Sequence, residues 1–232
     1  MSEPVPTGCA PIDDLLGGGF ERGTVTQVYG PPAAGKTNLA LSAAVQVAVA
    51  GNTAVYVDTE GLSLDRFRQI ASAAADDEDL DAITSRLIVT EAHDLEEQEE
   101  AVRDAAEFAP RADLIVLDSA TGFYRLERRD GDEGETLRRV GRQVTHLLSL
   151  ARKHDLAVVV TNQVFTDPDA DRARALGGHT LTHWTGTVLR LDRFRGGNRR
   201  ATLEKHRSKP AGETATFRIT GEGLAGSDEP SL

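Results

Sequence analysis

The 232-residue chain is predicted to fold as an α/β protein: a mainly parallel, twisted sheet with helices on both faces, joined near the C-terminus by antiparallel strands and a hairpin. Three observations carry that expectation. Apolar strand-like runs alternate with helix-length runs through the first two thirds, the pattern of a parallel sheet built from βα units. The motif GPPAAGKT at residues 30–37 sits between the first such strand and the first such helix. From Thr187 onward the character changes to short strand-like runs separated by turn residues.

The elements follow in order. TVTQVY (Thr24 to Tyr29) is β-branched and alternating, which suits a strand. NLALSAAVQVAVA after the motif is rich in Ala and Leu, free of Pro and Gly, and long enough for a helix. A strand over 53–58, a helix from Leu64 to Ala75 and a strand from Arg86 to Thr90 come next. A helix from Asp94 to Phe108 then leads to the apolar strand LIVLDS, Leu114 to Ser119. The spacing predicts a long helix over Glu135 to His154 and a buried strand over Leu156 to Val164. TVLRLDRFR, Gly196-Gly197-Asn198 and RRATLEKHR read as a β-hairpin, and TATFRI as another strand. Residues 1–222 are expected to form one folded unit, with 223–232 a disordered tail.

The motif fixes the chemistry. G-x-x-x-x-G-K-[ST] between a strand and a helix is a phosphate-binding loop. Its residues are Gly30, Pro31, Pro32, Ala33, Ala34, Gly35, Lys36 and Thr37, with Asn38 opening the helix. The glycines let successive backbone N–H groups turn inward on a polyphosphate, aided by the helix N-terminus. Lys36 reaches the β- and γ-phosphates and Thr37 ligates magnesium, so ATP and Mg²⁺ are the expected ligands. Ala33 stands where Gly is frequent, and its Cβ restricts the loop, which points to slow turnover rather than lost binding. Asp118, at the end of its strand, is expected to hold the metal through water. Glu60, in TAVYVDTEG, is the candidate for polarising the attacking water, and Gln163, in LAVVVTNQV, for orienting it.

Composition narrows the setting. One cysteine, Cys9, excludes an internal disulfide, and no Cys/His cluster suggests zinc. Neither a signal peptide nor a membrane span is legible, so a soluble cytoplasmic protein is expected. The net charge is −11, with four lysines against 22 arginines and acidic runs such as DDEDLD. That balance suits a cytoplasm of molar salt, where self-repulsion is screened. Between Arg190 and Lys209, eight cations face two acids, a net of +6 that leaves −17 for everything else. A basic hairpin on an acidic body is a footprint for DNA backbone, led by Arg195, Arg199 and Arg200. Counterion release contributes little in molar salt, so stacking from Phe194 or Trp184 is also expected, although Trp184 fits a core position equally well.

With these motifs in order, residues 5–222 resemble the RecA-type ATPase core of the archaeal and eukaryotic strand-exchange recombinases. TGCAPIDDLLGGGFERGTVTQVYG is similar to that family's entry segment, with its Leu-Gly-Gly-Gly turn before the first core strand. VYVDTEG is similar to the strand carrying the catalytic glutamate, and LIVLDSATGFYR to the magnesium strand and the start of the first DNA loop. GGHTLTH resembles the segment whose histidine, here His179, senses the γ-phosphate. By the same resemblance, the first loop offers Arg125, Arg128 and Arg129 to DNA, and the second Arg172 and Arg174. Both loops also carry acids.

Within the family the chain is similar to a short archaeal paralogue, from a halophile by its composition. Only residues 1–6 precede the core, so the N-terminal helical DNA-binding domain and the polymerisation motif are expected to be absent. LEKHRSKPAGE stands where the full recombinase carries its ATP cap, and Lys205 and Arg207 resemble the Lys-x-Arg finger of KaiC-type ATPases. They are fingers in trans if subunits stack, and part of the basic hairpin if they do not. The resemblance implies a DNA repair and recombination protein. It would bind ATP and single- or double-stranded DNA, hydrolyse ATP weakly and assist the main recombinase. A junction-processing nuclease or a replicative polymerase is a further implied partner. A filament-forming strand-exchange ATPase and a KaiC-like signalling ATPase without a DNA role stand as alternatives.

Overall fold

The computed structural model describes residues 2–75, 80–123, 133–166, 173–175 and 178–227, with the side chains of 133, 165–166, 173–175, 178–180 and 195 outside the description. Its strands are β1 (Val25–Gly30), β2 (Thr53–Asp58), β3 (Leu87–Glu91), β4 (Ala112–Asp118), β5 (Ala157–Thr166), β6 (Ala173–Ala175), β7 (Thr187–Arg193), β8 (Asn198–Lys205), β9 (Thr214–Thr220) and β10 (Gly223–Gly226). The helices are α1 (Ala10–Leu16), α2 (Lys36–Val49), α3 (Leu64–Ala74), α4 (Leu80–Thr84), α5 (Leu95–Phe108), α6 (Glu133–His154) and α7 (Gly178–Trp184).

One sheet runs in the order β10-β9-β8-β7-β1-β5-β4-β2-β3, and β6 pairs with β5 off that path. From β7 to β3 every neighbouring pair is parallel; from β7 to β10 every pair is antiparallel. The central parallel strands β1, β2 and β4 are almost wholly buried because both faces of the sheet are covered. Alternation along β4 shows the two layers: Leu114 and Val116 pack with α1 to α4, whereas Ile115 and Leu117 pack with α5 and α6. Val159 and Val158 of β5 divide in the same way.

Local signals account for the boundaries. Ser63 caps α3 by accepting the Arg66 N–H at 3.2 Å, and Asp94 caps α5 by accepting those of Glu96 and Glu97 at 2.8 Å. Each cap contributes about 1 kcal/mol. The Leu-Gly-Gly-Gly turn has a steric origin. A Cβ on Gly19 would lie 2.1 Å from the Val5 carbonyl oxygen, where Val5 and Phe20 bridge to seat the entry segment.

Five elements depart from the sequence expectation, one of them α7, since no helix was expected over residues 178–184. α1 and α4 are too short to show helical periodicity, and α4 buries one residue, Ile83. β6 lies inside what was expected to be an open loop; its register sets Arg174 opposite Phe165 of β5. Residues 223–226, expected to fray, instead form β10, pairing Leu224 with Ile219. Glycine-rich strands carry little propensity, and this one is held by its neighbour's ladder. Among the described residues no helix is long and apolar enough to cross a membrane.

Candidate functional site

β1, β5, β4 and β2 end together at one edge of the sheet. Register sets Gly30 beside Gln163, Leu117 beside Val160, and Asp58 beside Asp118. The carboxyl edge of a parallel sheet is where such folds bind ligands. Here it opens into a cleft of about 230 Å³ lined by Pro32, Ala33, Gly35, Lys36, Thr37, Asn38, Glu60 and Gln163.

The phosphate loop is shaped by contacts that leave no room for other residues. A Cβ on Gly30 would meet the Leu191 carbonyl oxygen at 2.2 Å, and Gly35 caps α2 at φ +105°. Ala34 is fully buried and its N–H donates to the Pro31 carbonyl at 3.2 Å. Ala33 takes φ +59°, one of two non-glycine residues in the left-handed region among those described. Lys36 folds over the loop and donates to the carbonyls of Gly30 at 3.0 Å and Pro31 at 3.2 Å. Burial pushes its pKa down, and the carboxylates of Glu60 and Asp118 act in the opposite direction.

Asp118 is 1% exposed. It accepts the Tyr56 hydroxyl at 2.7 Å and the Thr161 hydroxyl, and its carboxyl is also hydrogen-bonded by Thr37. Burial raises its pKa and these three hydrogen bonds oppose the rise. A carboxylate against the Thr37 hydroxyl, at the mouth of a phosphate loop, is the hard-oxygen donor set that suits magnesium completed by phosphate oxygens and water.

Glu60 and Asp58 divide the labour of their turn. Asp58 accepts the backbone N–H groups of Glu60 and Gly61 at 3.1 Å each, and that of Leu62, so its carboxylate builds the turn. Glu60 projects into the cleft and accepts from Ser119 Oγ at 2.8 Å and Gln163 Nε2 at 3.0 Å. The two polar residues named for water handling therefore touch one another. Ser119, Tyr56 and Thr161 escaped the sequence reading because hydroxyls inside apolar strands look like ordinary core residues. Arg66 escaped too. Its guanidinium joins Asn38 Oδ1 at 2.8 Å to the carbonyls of Gly221 at 3.0 Å and Gly223 at 3.1 Å, tying α3 and β10 to the start of α2.

The basic segment is distributed differently from its sequence count. Lys205 donates to the Thr182 and Thr185 carbonyls, both at 2.7 Å, at the C-terminal end of α7. Arg207 makes a two-pronged pair with Glu21, its Nε at 2.7 and 2.8 Å from the carboxylate oxygens. Lys209 donates to the Asp14 and Leu15 carbonyls that end α1, and Arg190 pairs with Asp192 and Glu204. Arg200 lies 4.3 Å from the centre of the Phe194 ring, and Phe194 is 44% exposed. Arg199 turns the other way, toward the Ala33 carbonyl at 3.5 Å. Trp184, 41% exposed, meets the His183 ring edge-on rather than joining the core. His179, Arg174 and Arg195 are placed by their backbones alone, and Arg125, Arg128, Arg129 and Arg172 lie outside the described residues.

Known proteins share the fold and nearly the whole length of this chain. The Rad51 family model matches residues 4–227. The DNA repair and recombination protein RadB of Halobacterium salinarum is 69% identical over 223 residues, covering 95% of this chain and 94% of the relative. Its counterpart in Methanococcoides burtonii is 42% identical over 226 residues, covering 97% and 98%. A crystal structure of the RadB recombinase superposes with a TM-score of 0.83 at 37% identity, covering 97% of this chain and 100% of that one. A phosphate loop, a buried strand-end aspartate and a cleft-facing glutamate on a sheet of this order thus coincide with full-length similarity, and the chain belongs to the Rad51 family, on its RadB side.

Proposed function

We propose that this protein is an ATP- and DNA-binding recombination and repair factor that assists a strand-exchange recombinase and hydrolyses ATP slowly. The observation that carries the nucleotide half is the convergence of Lys36, Thr37, Glu60 and Gln163 on one cleft, with Asp118 buried behind it and hydrogen-bonded to Thr37. The names of its relatives support the DNA half. Magnesium, when bound through Thr37 and the shell of Asp118, supplies charge neutralisation at the phosphates. Glu60, oriented by Ser119 and Gln163, accepts a hydrogen bond from water and positions it for in-line attack on the γ-phosphate. Lys36 exchanges its two carbonyl partners for phosphate oxygens, a charge-assisted contact stronger than the ones it leaves.

The left-handed Ala33 supports slow turnover by constraining the loop, and the intramolecular partners of Lys205 and Arg207 support it by occupying the two candidate trans fingers. The test is steady-state ATP hydrolysis in molar salt, with and without single-stranded DNA, using Glu60→Gln as control. Slow hydrolysis indifferent to DNA, reduced about 100-fold or more by Glu60→Gln while ATP still binds, is the expected result. Strong DNA stimulation would replace this reading with that of an active strand-exchange motor.

A further inference from the structure

Arg199 and Arg200 are adjacent in sequence, and strand alternation sends them to opposite faces of the sheet. Arg199 shares its face with Ala201 and Leu203, which pack in the core layer of α1 to α4. Register places Arg199 between Arg193 of β7 and Phe217 of β9, and Phe217 is fully buried in that same layer. α2 and the phosphate loop lie on this side. A Cβ on Gly35 would sit 3.5 Å from Arg199 Cδ, and Arg199 Nη2 reaches the Ala33 carbonyl at 3.5 Å. Arg200, one residue on, stands over Phe194 on the other side.

The electrostatic setting of Arg199 is incomplete as it stands. Its hydrogen bonds among the described residues go to backbone carbonyls, Gly197 at 2.5 Å and Ala33 at 3.5 Å, and its Nε is buried with no acceptor among those residues. Burial and the neighbouring Arg193 both push its pKa down, so the cation is held where its charge is disfavoured. Arg190 and Arg207 of the same region have carboxylate partners, but neither Arg193 nor Arg199 pairs with a carboxylate among the described residues. Two arginines paired across strands, one of them against the phosphate loop, in a chain of net charge −11, make a place for an anion.

We infer that Arg199 is a nucleotide-contacting residue in cis, donating to the polyphosphate held by the loop of its own subunit, while Arg200 and Phe194 face outward for nucleic acid. This inference rests on the nucleotide-site reading above. Bound polyphosphate draws the guanidinium off the Ala33 carbonyl and satisfies it with a charge-assisted contact. The hairpin that carries Arg200 is then tied to the nucleotide through the neighbouring residue of the same strand.

The test is equilibrium titration of the full chain with fluorescent ATP and ADP in molar salt with magnesium, comparing wild type, Lys36→Ala, Arg199→Ala, Arg199→Lys and Arg200→Ala. Single-stranded DNA titrations without nucleotide run in parallel. Arg199→Ala is expected to weaken ATP and ADP about tenfold, Arg199→Lys less, and Arg200→Ala not at all. Unchanged nucleotide affinity in Arg199→Ala, with binding still lost in Lys36→Ala, overturns the inference and leaves the phosphate loop standing. Equal loss of DNA affinity in both arginine variants with ATP affinity intact also overturns it, assigning both side chains to a nucleic-acid backbone. Absence of nucleotide binding by the wild type overturns this inference and the site reading together.

Discussion

The two halves of the sheet use charge in opposite ways. At the parallel edge, Lys36, Asp118, Glu60 and Gln163 come from a helix, two strand ends and a turn, yet they gather around one cleft, where Gln163 bonds Glu60 and the two carboxylates act electrostatically on Lys36. On the antiparallel flank, four of the eight cations between residues 190 and 209 are engaged with carboxylates or with the carbonyls that end helices. Lys205 and Lys209 bind the carbonyls that end α7 and α1, Arg207 binds Glu21, and Arg190 binds Asp192 and Glu204. The backbones of the other four, Arg193, Arg195, Arg199 and Arg200, lie at the tip of the β7–β8 hairpin, where Arg199 bonds the Gly197 and Ala33 carbonyls. A local charge count therefore overstates a binding surface. Cations near helix C-termini find carbonyls to satisfy, and those interactions are structural before they are functional.

The largest effect that sharpens this contrast is expected at Asp118. Asp118→Asn should lower magnesium-dependent nucleotide affinity about 10- to 100-fold, measured by titration with and without EDTA. The nucleotide-free variant should instead be more stable than wild type. The folded pKa of Asp118 is raised above the ordinary 3.8, so ionisation costs more in the folded chain than in the unfolded one. The stability of the protonated carboxyl is present in full below pH 3.8 and is lost as pH rises through the raised folded value. Melting of wild type against variant across that window should show a gap that opens with rising pH; a gap that closes would mean the carboxylate is stabilised where it lies.

Lys205 comes next. Lys205→Met removes two charge-assisted bonds to carbonyls and should cost about 2 kcal/mol in denaturant unfolding. Unchanged stability would break the comparison, freeing Lys205 to serve a neighbouring subunit. Ala33→Gly should stabilise by about 1 kcal/mol, because a left-handed alanine is strained and a glycine is not. An accompanying rise in ATP turnover would locate part of the slow hydrolysis in the loop itself. Smallest is Arg207→Ala, whose solvent-facing pair with Glu21 should contribute about 0.5 kcal/mol or less, and less again in molar salt. A loss of several-fold in ATP turnover at unchanged stability would instead assign Arg207 to catalysis.

Much of the site was legible because its parts are local. A phosphate loop occupies eight consecutive residues between a strand and a helix, and Asp118, Glu60 and Gln163 each follow an apolar run. Steric rules for glycine and the burial of parallel strands write those features directly into composition. Ser119 was visible beside Asp118 but unreadable as a ligand of Glu60, since that contact joins residues 59 positions apart. Tyr56 and Thr161 likewise act on Asp118 from 62 and 43 positions away. Arg66 acts at the start of α2 from a separate helix, and no local pattern encodes such a meeting.

The sequence by itself determined the fold class, the phosphate loop and the order of the strand-end groups, because periodicity and turn chemistry act over a few residues. The tertiary structure alone decided which carboxylate builds a turn and which faces the cleft, and which cations are already satisfied. It also set Arg199 and Arg200 on opposite faces, a choice that alternation makes available but only the position of α2 gives meaning. Hydrogen-bond partners and burial are properties of the packed chain, and the same residue carries a different charge role according to what packs against it.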